Sequence, residues 1–104
     1  MQYDIYLVNP EPKFGSEPDK LRPCIVVSPD ELNQYLQTVV IVPLTSSLCD
    51  WPFRALIEYD GRKSDACIDQ IRVIDKQRLI KRKSRLSIQE IQSVKDLIRE
   101  TYVD

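Results

Sequence analysis

The feature that most restricts this chain is that its apolar residues come in short β-branched runs, each stopped by proline or a turn dipeptide before a helix could form. Ile5-Tyr6-Leu7-Val8 ends at Asn9-Pro10, Pro23-Cys24-Ile25-Val26-Val27 at Ser28-Pro29, Thr38-Val39-Val40-Ile41-Val42 at Pro43, and Arg54-Ala55-Leu56-Ile57-Glu58-Tyr59 at Asp60-Gly61. Proline removes a ladder N–H and pushes its predecessor out of the helical region. The chain is therefore read as mainly β. Only the last segment departs: Ser87-Ile88-Gln89-Glu90 is a capping box, and Ile88, Ile91, Val94, Leu97 and Ile98 fall on one helical stripe.

Between the first two runs lies a loop, residues 10–21, stiffened by Pro10, Pro12 and Pro18 with Gly15 as one permissive joint. Such a loop suits the presentation of side chains. Ser28-Pro29-Asp30-Glu31 reads as a second capping box opening one or two helical turns over residues 30–36, a connection short enough to make the flanking strands neighbours. Asp60-Gly61 joins two antiparallel strands, the second containing Ala66-Cys67-Ile68-Asp69, and residues 70–74 continue into the sheet. Five or six short strands closed by one helix predict a small, strongly curved sheet or partly open barrel.

A chain of 104 residues, 42% apolar, supports one modest core, so residues 1–104 are read as a single domain. With 15 basic and 16 acidic residues the net charge is -1, so affinity for an anionic partner must be local. No run is long enough to span a membrane and no secretory leader is evident, which gives the expectation of a soluble cytoplasmic protein. Cys24, Cys49 and Cys67 are odd in number and widely spaced, and are read as reduced, mostly buried thiols. Histidine is absent, which removes Ser-His and Cys-His schemes and the usual zinc ligand; no metal or cofactor is expected. Proton transfer then falls to carboxylates, Tyr, Lys or hydroxyls, and charge stabilisation to Arg or Lys.

Three constellations could carry chemistry. Gly15-Ser16-Glu17 followed by Arg22-Pro23 puts a carboxylate and a guanidinium at opposite ends of one stiff loop. Arg22 there could clamp a phosphate bidentately, or form an ordinary surface pair with Glu17 or Asp19. Pro43-Leu44-Thr45-Ser46-Ser47 places hydroxyls at the end of a buried strand, where they could bond a phosphate or simply close a turn. Asp69-Gln70-Ile71-Arg72 precedes a basic run, Lys81-Arg82-Lys83-Ser84-Arg85, and from Arg72 to Arg85 Asp75 is the single acid. Such a run favours RNA or DNA phosphates, although before a helix it is commonly a solvated loop. Trp51, Phe53 and Tyr59 are core residues or stacking platforms for unpaired bases.

In this order and spacing the segments Asp4-Ile5-Tyr6-Leu7-Val8, Gly15-Ser16-Glu17, Arg22-Pro23-Cys24-Ile25-Val26-Val27-Ser28-Pro29, Val42-Pro43-Leu44-Thr45-Ser46 and Asp69-Gln70-Ile71-Arg72-Val73-Ile74-Asp75 resemble the MazF/PemK family of toxin endoribonucleases. The resemblance implies an SH3-like small barrel of five to seven strands with a short helix and a C-terminal amphipathic helix. It also implies a homodimer, sequence-specific cleavage of single-stranded mRNA without a metal, and an antitoxin that covers the RNA groove. By position Arg22 and Thr45 match the catalytic pair and Glu17 the loop glutamate. Attack of the ribose 2′-OH would leave a 2′,3′-cyclic phosphate, with Arg22 neutralising phosphorane oxygens, Thr45 orienting the phosphate or 2′-OH, and Glu17 acting as base. Ser16, Lys20, Ser46, Ser47, Asp69, Gln70, Arg72 and Arg82 are the RNA-binding set. Two departures stand out: Tyr3 replaces the glycine that opens many relatives, and Cys67 occupies the place of an arginine that some relatives use.

Two other functions compete. A DNA gyrase inhibitor of the CcdB kind shares this fold but depends on a terminal tryptophan, whereas this sequence ends Thr101-Tyr102-Val103-Asp104. A catalytically decayed antitoxin-binding module is the other, kept open by Cys67.

Overall fold

The computed structural model describes residues 1–9 and 21–104. Its seven strands form one curled antiparallel sheet: β1 (Asp4–Val8), β2 (Arg22–Val26), β3 (Thr38–Thr45), β4 (Arg54–Tyr59), β5 (Arg62–Cys67), β6 (Arg72–Asp75) and β7 (Leu79–Arg85). A short helix α1 (Asp30–Tyr35) links β2 to β3, and α2 (Ile88–Ile98) follows β7.

The hub is β3. Val42 and Pro43 pair with Ile25 and Cys24 of β2 along one edge, while Thr38, Val39, Val40 and Ile41 pair with β6 and Leu44 and Thr45 with β5 along the other. From β6 the sheet runs through β3, β2 and β1 to β7, and β7 returns to β6 through the single 3-10 turn Lys76–Arg78. The sheet therefore curls into a half-barrel, the small barrel expected from the sequence. The β4–β5 hairpin hangs from the C-terminal end of β3 and turns at Asp60 (φ 55°) and Gly61 (φ 74°), two left-handed residues that match a type I′ turn.

Curling buries both faces of the central strands, which is why they read as continuous apolar runs. Ile5, Ile25, Val42 and Leu44 point to one core, with Ala55, Ile57, Ala66, Ile68, Leu86 and Val94 of α2. The alternate residues Cys24, Val26, Val39 and Ile41 join Val8 and Ile74 inside the barrel. Period-two alternation thus feeds two cores rather than one core and solvent.

Around α2 the capping box forms as expected. The Glu90 amide donates to Ser87 Oγ at 3.1 Å and the Ser87 amide to Glu90 Oε1 at 2.8 Å, while Glu90 Oε2 also accepts the Glu58 amide at 2.7 Å. One carboxylate therefore both starts the helix and ties it to β4. Val94 is buried and Ile91, Leu97 and Ile98 pack beside it, but Ile88 is 82% exposed: as the first helical residue it lies beyond the edge of the core. Beyond α2, the Tyr102 hydroxyl donates to the Ile68 carbonyl at 2.7 Å, fixing the C-terminal turn to the core.

Three readings of the sequence are corrected here. Ser28 does not cap α1, whose N-cap is Pro29; its hydroxyl donates to Asn33 Oδ1 at 2.7 Å and accepts the Val40 amide at 3.0 Å, joining helix to β3 instead. The second hairpin strand begins directly after the turn, at Arg62, and ends at Cys67, so Asp69 lies in the 3-10 turn Ile68–Gln70. The basic run Lys81-Arg82-Lys83-Ser84-Arg85 is not a solvated loop but part of β7, paired along β1.

Candidate functional site

The open end of the barrel carries a cleft of about 430 Å³ between the start of β2, the end of β3 and the β4–β5 hairpin. Arg22, Thr45 and Ser46 form one side, Tyr59, Asp60 and Arg62 the other, with Ser64 between them. Strand register explains the first group. Pairs Cys24–Pro43, Ile25–Val42 and Val26–Ile41 fix the β2–β3 alignment, and Arg22 and Thr45 lie two residues beyond the last of these pairs, one on each strand. There β3 passes to β5, where Thr45 pairs with Asp65, while Arg22 pairs with Val8 of β1. Sheet pairing thus brings the guanidinium and the hydroxyl to the lining of one cleft.

Each group is available for a ligand. The Ser47 amide donates to Thr45 Oγ1 at 3.2 Å, fixing the hydroxyl while leaving its proton to be donated. This is the turn-closing bond expected of such a cluster, and it orients Thr45 rather than occupying it. Arg22 is exposed, and neither its guanidinium nor that of Arg62 makes an ion pair among the described residues. Burial, and secondarily the Asp60 carboxylate, pushes the Tyr59 phenol above its usual value, so at neutral pH it stays a proton donor.

The other residues singled out in the sequence are dispersed. Glu17, Ser16 and Lys20 lie outside the described residues, as do the Arg22 pairings with Glu17 or Asp19. Asp69 accepts a fork from Arg54, Nε to Oδ1 at 3.3 Å and Nη2 to Oδ2 at 3.5 Å, and Gln70 is exposed in the same 3-10 turn. Arg54 is the strand partner of Cys67 and stacks 4.4 Å from the Trp51 ring, which lies 5.3 Å from Phe53. A guanidinium thus reaches Asp69 across the hairpin although residue 67 is cysteine. Arg72 lies on β6 and lines a small separate cavity together with Arg22, Cys24, Ile41 and Ile74. Arg82 projects from β7 onto Asp4, Nε to Oδ2 at 3.0 Å, on the strand beyond β1.

Sequence reasoning missed Arg62, Asp60 and Ser64 as cleft residues. The available signal was the Asp60-Gly61 turn, which makes Tyr59 and Arg62 cross-strand neighbours. Cys24, Cys49 and Cys67 are free thiols, and burial pushes Cys24 up to about 11, so it is neutral beside the cleft. Chemically, an unpaired guanidinium sharing a cleft with an oriented hydroxyl can hold a phosphodiester through two oxygens and donate to a third. Among the described residues no helix is long and apolar enough to cross a membrane.

Comparison with known proteins gives a consistent result. An endoribonuclease MazF of Staphylococcus saprophyticus is 31% identical over 101 residues, covering 91% of this chain and 84% of that protein. A solved endoribonuclease bound to its cognate antitoxin from a mycobacterial species superposes with a TM-score of 0.80 at 15% identity, over 96% of this chain and 91% of that one. MazF of Deinococcus radiodurans superposes with a TM-score of 0.77 at 21% identity, over 95% and 92% of the two chains. At those identities the solved structures show a shared fold, the mainly β half-barrel with a short helix and a C-terminal helix. The model of the PemK-like, MazF-like toxins of type II toxin-antitoxin systems matches residues 1–102, and this chain belongs to that family.

Proposed function

We propose that Arg22 and Thr45 are the groups through which this toxin cleaves RNA. The chain is a MazF/PemK toxin endoribonuclease of a toxin-antitoxin system, acting on RNA and neutralised by a cognate antitoxin. The observation that supports the site assignment is that Arg22, just beyond the last β2–β3 pair, and Thr45, at the end of β3, line one cleft.

Cleavage proceeds by attack of the ribose 2′-OH on the adjacent phosphorus as the bond from phosphorus to the 5′-oxygen breaks; the 2′-OH proton passes to the base and the departing 5′-oxygen takes a proton from water, leaving a 2′,3′-cyclic phosphate and a 5′-hydroxyl. Arg22 neutralises the non-bridging oxygens as charge accumulates on the phosphorane, where an oriented donor stabilises the transition state more than the ground state. Thr45, held by the Ser47 amide, donates its hydroxyl proton to the phosphate and fixes it in line. Glu17 is the proposed base, and Ser46 contacts the RNA backbone from the same rim. The route calls for neither a bound metal nor histidine.

The working unit is a homodimer, the substrate is single-stranded mRNA cut at a preferred sequence, and the toxin acts in the cytoplasm. The match over residues 1–102 does not favour the gyrase-inhibitor alternative.

The test is to incubate the purified protein with a long unstructured RNA in EDTA and compare wild type, Arg22→Ala and Thr45→Ala, with circular dichroism to establish folding. Wild type yields fragments ending in 2′,3′-cyclic phosphate and both variants lose most cleavage. Cleavage at wild-type rates by two folded variants would overturn the assignment. Loss in Arg22→Ala alone would leave Thr45 as a turn residue.

A further inference from the structure

Asp65 is a buried carboxylate on β5, 5% exposed, and it makes no ion pair among the described residues. Burying a charge without a cation is costly, and on packing grounds a β-branched apolar residue would suit this strand better. The hydrogen bond that Asp65 does make leaves the hairpin. Its Oδ2 accepts the Cys49 amide at 2.6 Å, from the segment that follows β3. A second acceptor stands beside it: Thr45 is the cross-strand partner of Asp65, and directly paired residues of an antiparallel ladder share one face. Thr45 Oγ1 accepts the amide of Ser47, two residues before Cys49.

These two bonds brace one short turn. The chain leaving β3 is held at Ser47 by the hydroxyl and at Cys49 by the carboxylate, and the Cys49 thiol adds a weak donor 3.9 Å from the Ser47 carbonyl. The bond at Thr45 is 3.2 Å long and joins neutral groups, whereas the shorter bond at Asp65 is charge-assisted. Charge-assisted bonds are roughly twice as strong as neutral ones, so the carboxylate is the firmer anchor of the turn. Thr45 and Ser46 line the cleft with Arg22, while Asp65 is not among the lining residues. Any effect it has on the site passes through the turn.

We propose that Asp65 is a positioning residue for RNA cleavage: by holding the Cys49 amide it keeps the Ser47 amide on Thr45 Oγ1, and so fixes the direction in which the Thr45 hydroxyl donates. The inference rests on the proposed role of Thr45 and deepens it. Without the brace Thr45 samples other staggered rotamers, and displacing a reacting group by about 1 Å can cost about 10²-fold in rate.

Steady-state cleavage kinetics and the hydrogen exchange of the Ser47 amide are measured for wild type, Asp65→Val, Asp65→Asn, Cys49→Pro, Thr45→Ala and the Thr45→Ala/Asp65→Val double variant. Valine suits a buried strand and removes the acceptor. Asp65→Val lowers kcat by about 10–10²-fold with KM near wild type, and its Ser47 amide exchanges faster. Asparagine retains an acceptor oxygen and recovers most of both. Cys49→Pro deletes the donated N–H, leaves the carboxylate in place and gives the same loss, which carries the test should Asp65→Val not fold. In the Thr45→Ala background Asp65→Val causes no further loss, because the group it positions is gone. A folded Asp65→Val that cleaves at the wild-type rate, or that multiplies the loss of Thr45→Ala, would overturn the positioning role and leave Thr45 in place. A fall in kcat with Ser47 exchange unchanged would do the same. Wild-type cleavage by Thr45→Ala would remove both readings.

Discussion

Two groups of arginines in this small domain serve opposite purposes, and the presence of a carboxylate separates them. On β7, Arg82 and Arg85 converge on Asp4, which is 5% exposed and also 3.2 Å from the terminal ammonium. On the hairpin, Arg54 is forked onto Asp69. At the barrel mouth, Arg22, Arg62 and Arg72 line cavities without an acidic partner among the described residues. A paired arginine has its charge satisfied and holds strands together, whereas an unpaired one keeps its affinity for an external anion. Net charge does not reveal this. The chain carries -1 overall, yet Arg22, Arg62 and Arg72 line cavities in which Asp60 and Asp75, though present, make no ion pair with them among the described residues.

If that division holds, activity and stability come apart by position, and the largest effect is at Arg22. Arg22→Ala lowers cleavage by about 10²–10³-fold, the usual loss when one preorganised charge-stabilising donor is removed. Its unfolding free energy stays within about 0.5 kcal/mol of wild type, since the side chain is exposed and makes no ion pair among the described residues. Single-turnover kinetics with thermal melts check both halves. A large drop in melting temperature would place Arg22 among the structural arginines and break the comparison.

Asp4→Asn has the complementary outcome. It costs about 1.5–3 kcal/mol, the range for hydrogen bonds to a charged group, and leaves kcat of the folded protein near wild type. Arg82 and Arg85 are half exposed and rehydrate, so the cost stays below that of a fully buried pair. Burial raises the Asp4 pKa, but the Arg82 hydrogen bond and the terminal ammonium outweigh it and hold the carboxyl below its ordinary value. A lowered folded-state pKa gives stability that is fully present above the unfolded value, near 3.9, and is lost as pH falls through the folded one. The gap between wild type and Asp4→Asn in chemical denaturation is therefore constant near neutrality and closes in acid below about pH 4. A gap that persists unchanged into acid would assign the stabilisation to shape rather than charge.

Much of the fold was legible because its strongest signals are local. The Asp60-Gly61 turn and the Ser87–Glu90 box each act over a few residues, and each appears where the sequence places it, whereas Pro43 does not end β3, which continues to Thr45. What was not legible depends on partners distant in the chain. β7 reads as a basic loop because most of its side chains face water, and only its pairing with β1 makes it a strand. Ser28 and Glu31 have the spacing of a capping box, yet the Ser28 hydroxyl is taken by Asn33 and by the Val40 amide of β3. That Arg22 and Thr45 line one cleft follows from how β2 and β3 pair, which no spacing within either segment encodes; the family resemblance supplied the pair instead. Arg62 lay beyond both kinds of signal until the hairpin was folded.

A smaller effect is expected at Asp69, which tests whether the hairpin pair belongs with the structural group. Asp69→Asn removes the charge facing Arg54 and keeps the side-chain shape. Asp69 is one-third exposed, so solvent screens the pair, and the fall in melting temperature is less than that of Asp4→Asn. The released Arg54 guanidinium remains stacked on Trp51, because that contact depends on the ring and not on the carboxylate. It would then resemble the arginines of the barrel mouth: a cation with no acidic partner beside an exposed aromatic surface. RNA binding by Asp69→Asn is accordingly tighter and more salt-dependent than wild type, by up to one phosphate contact or about 0.7 in slope. Weaker binding would mean that Asp69 itself contacts the substrate, and the pair would pass from holding the hairpin to reading RNA.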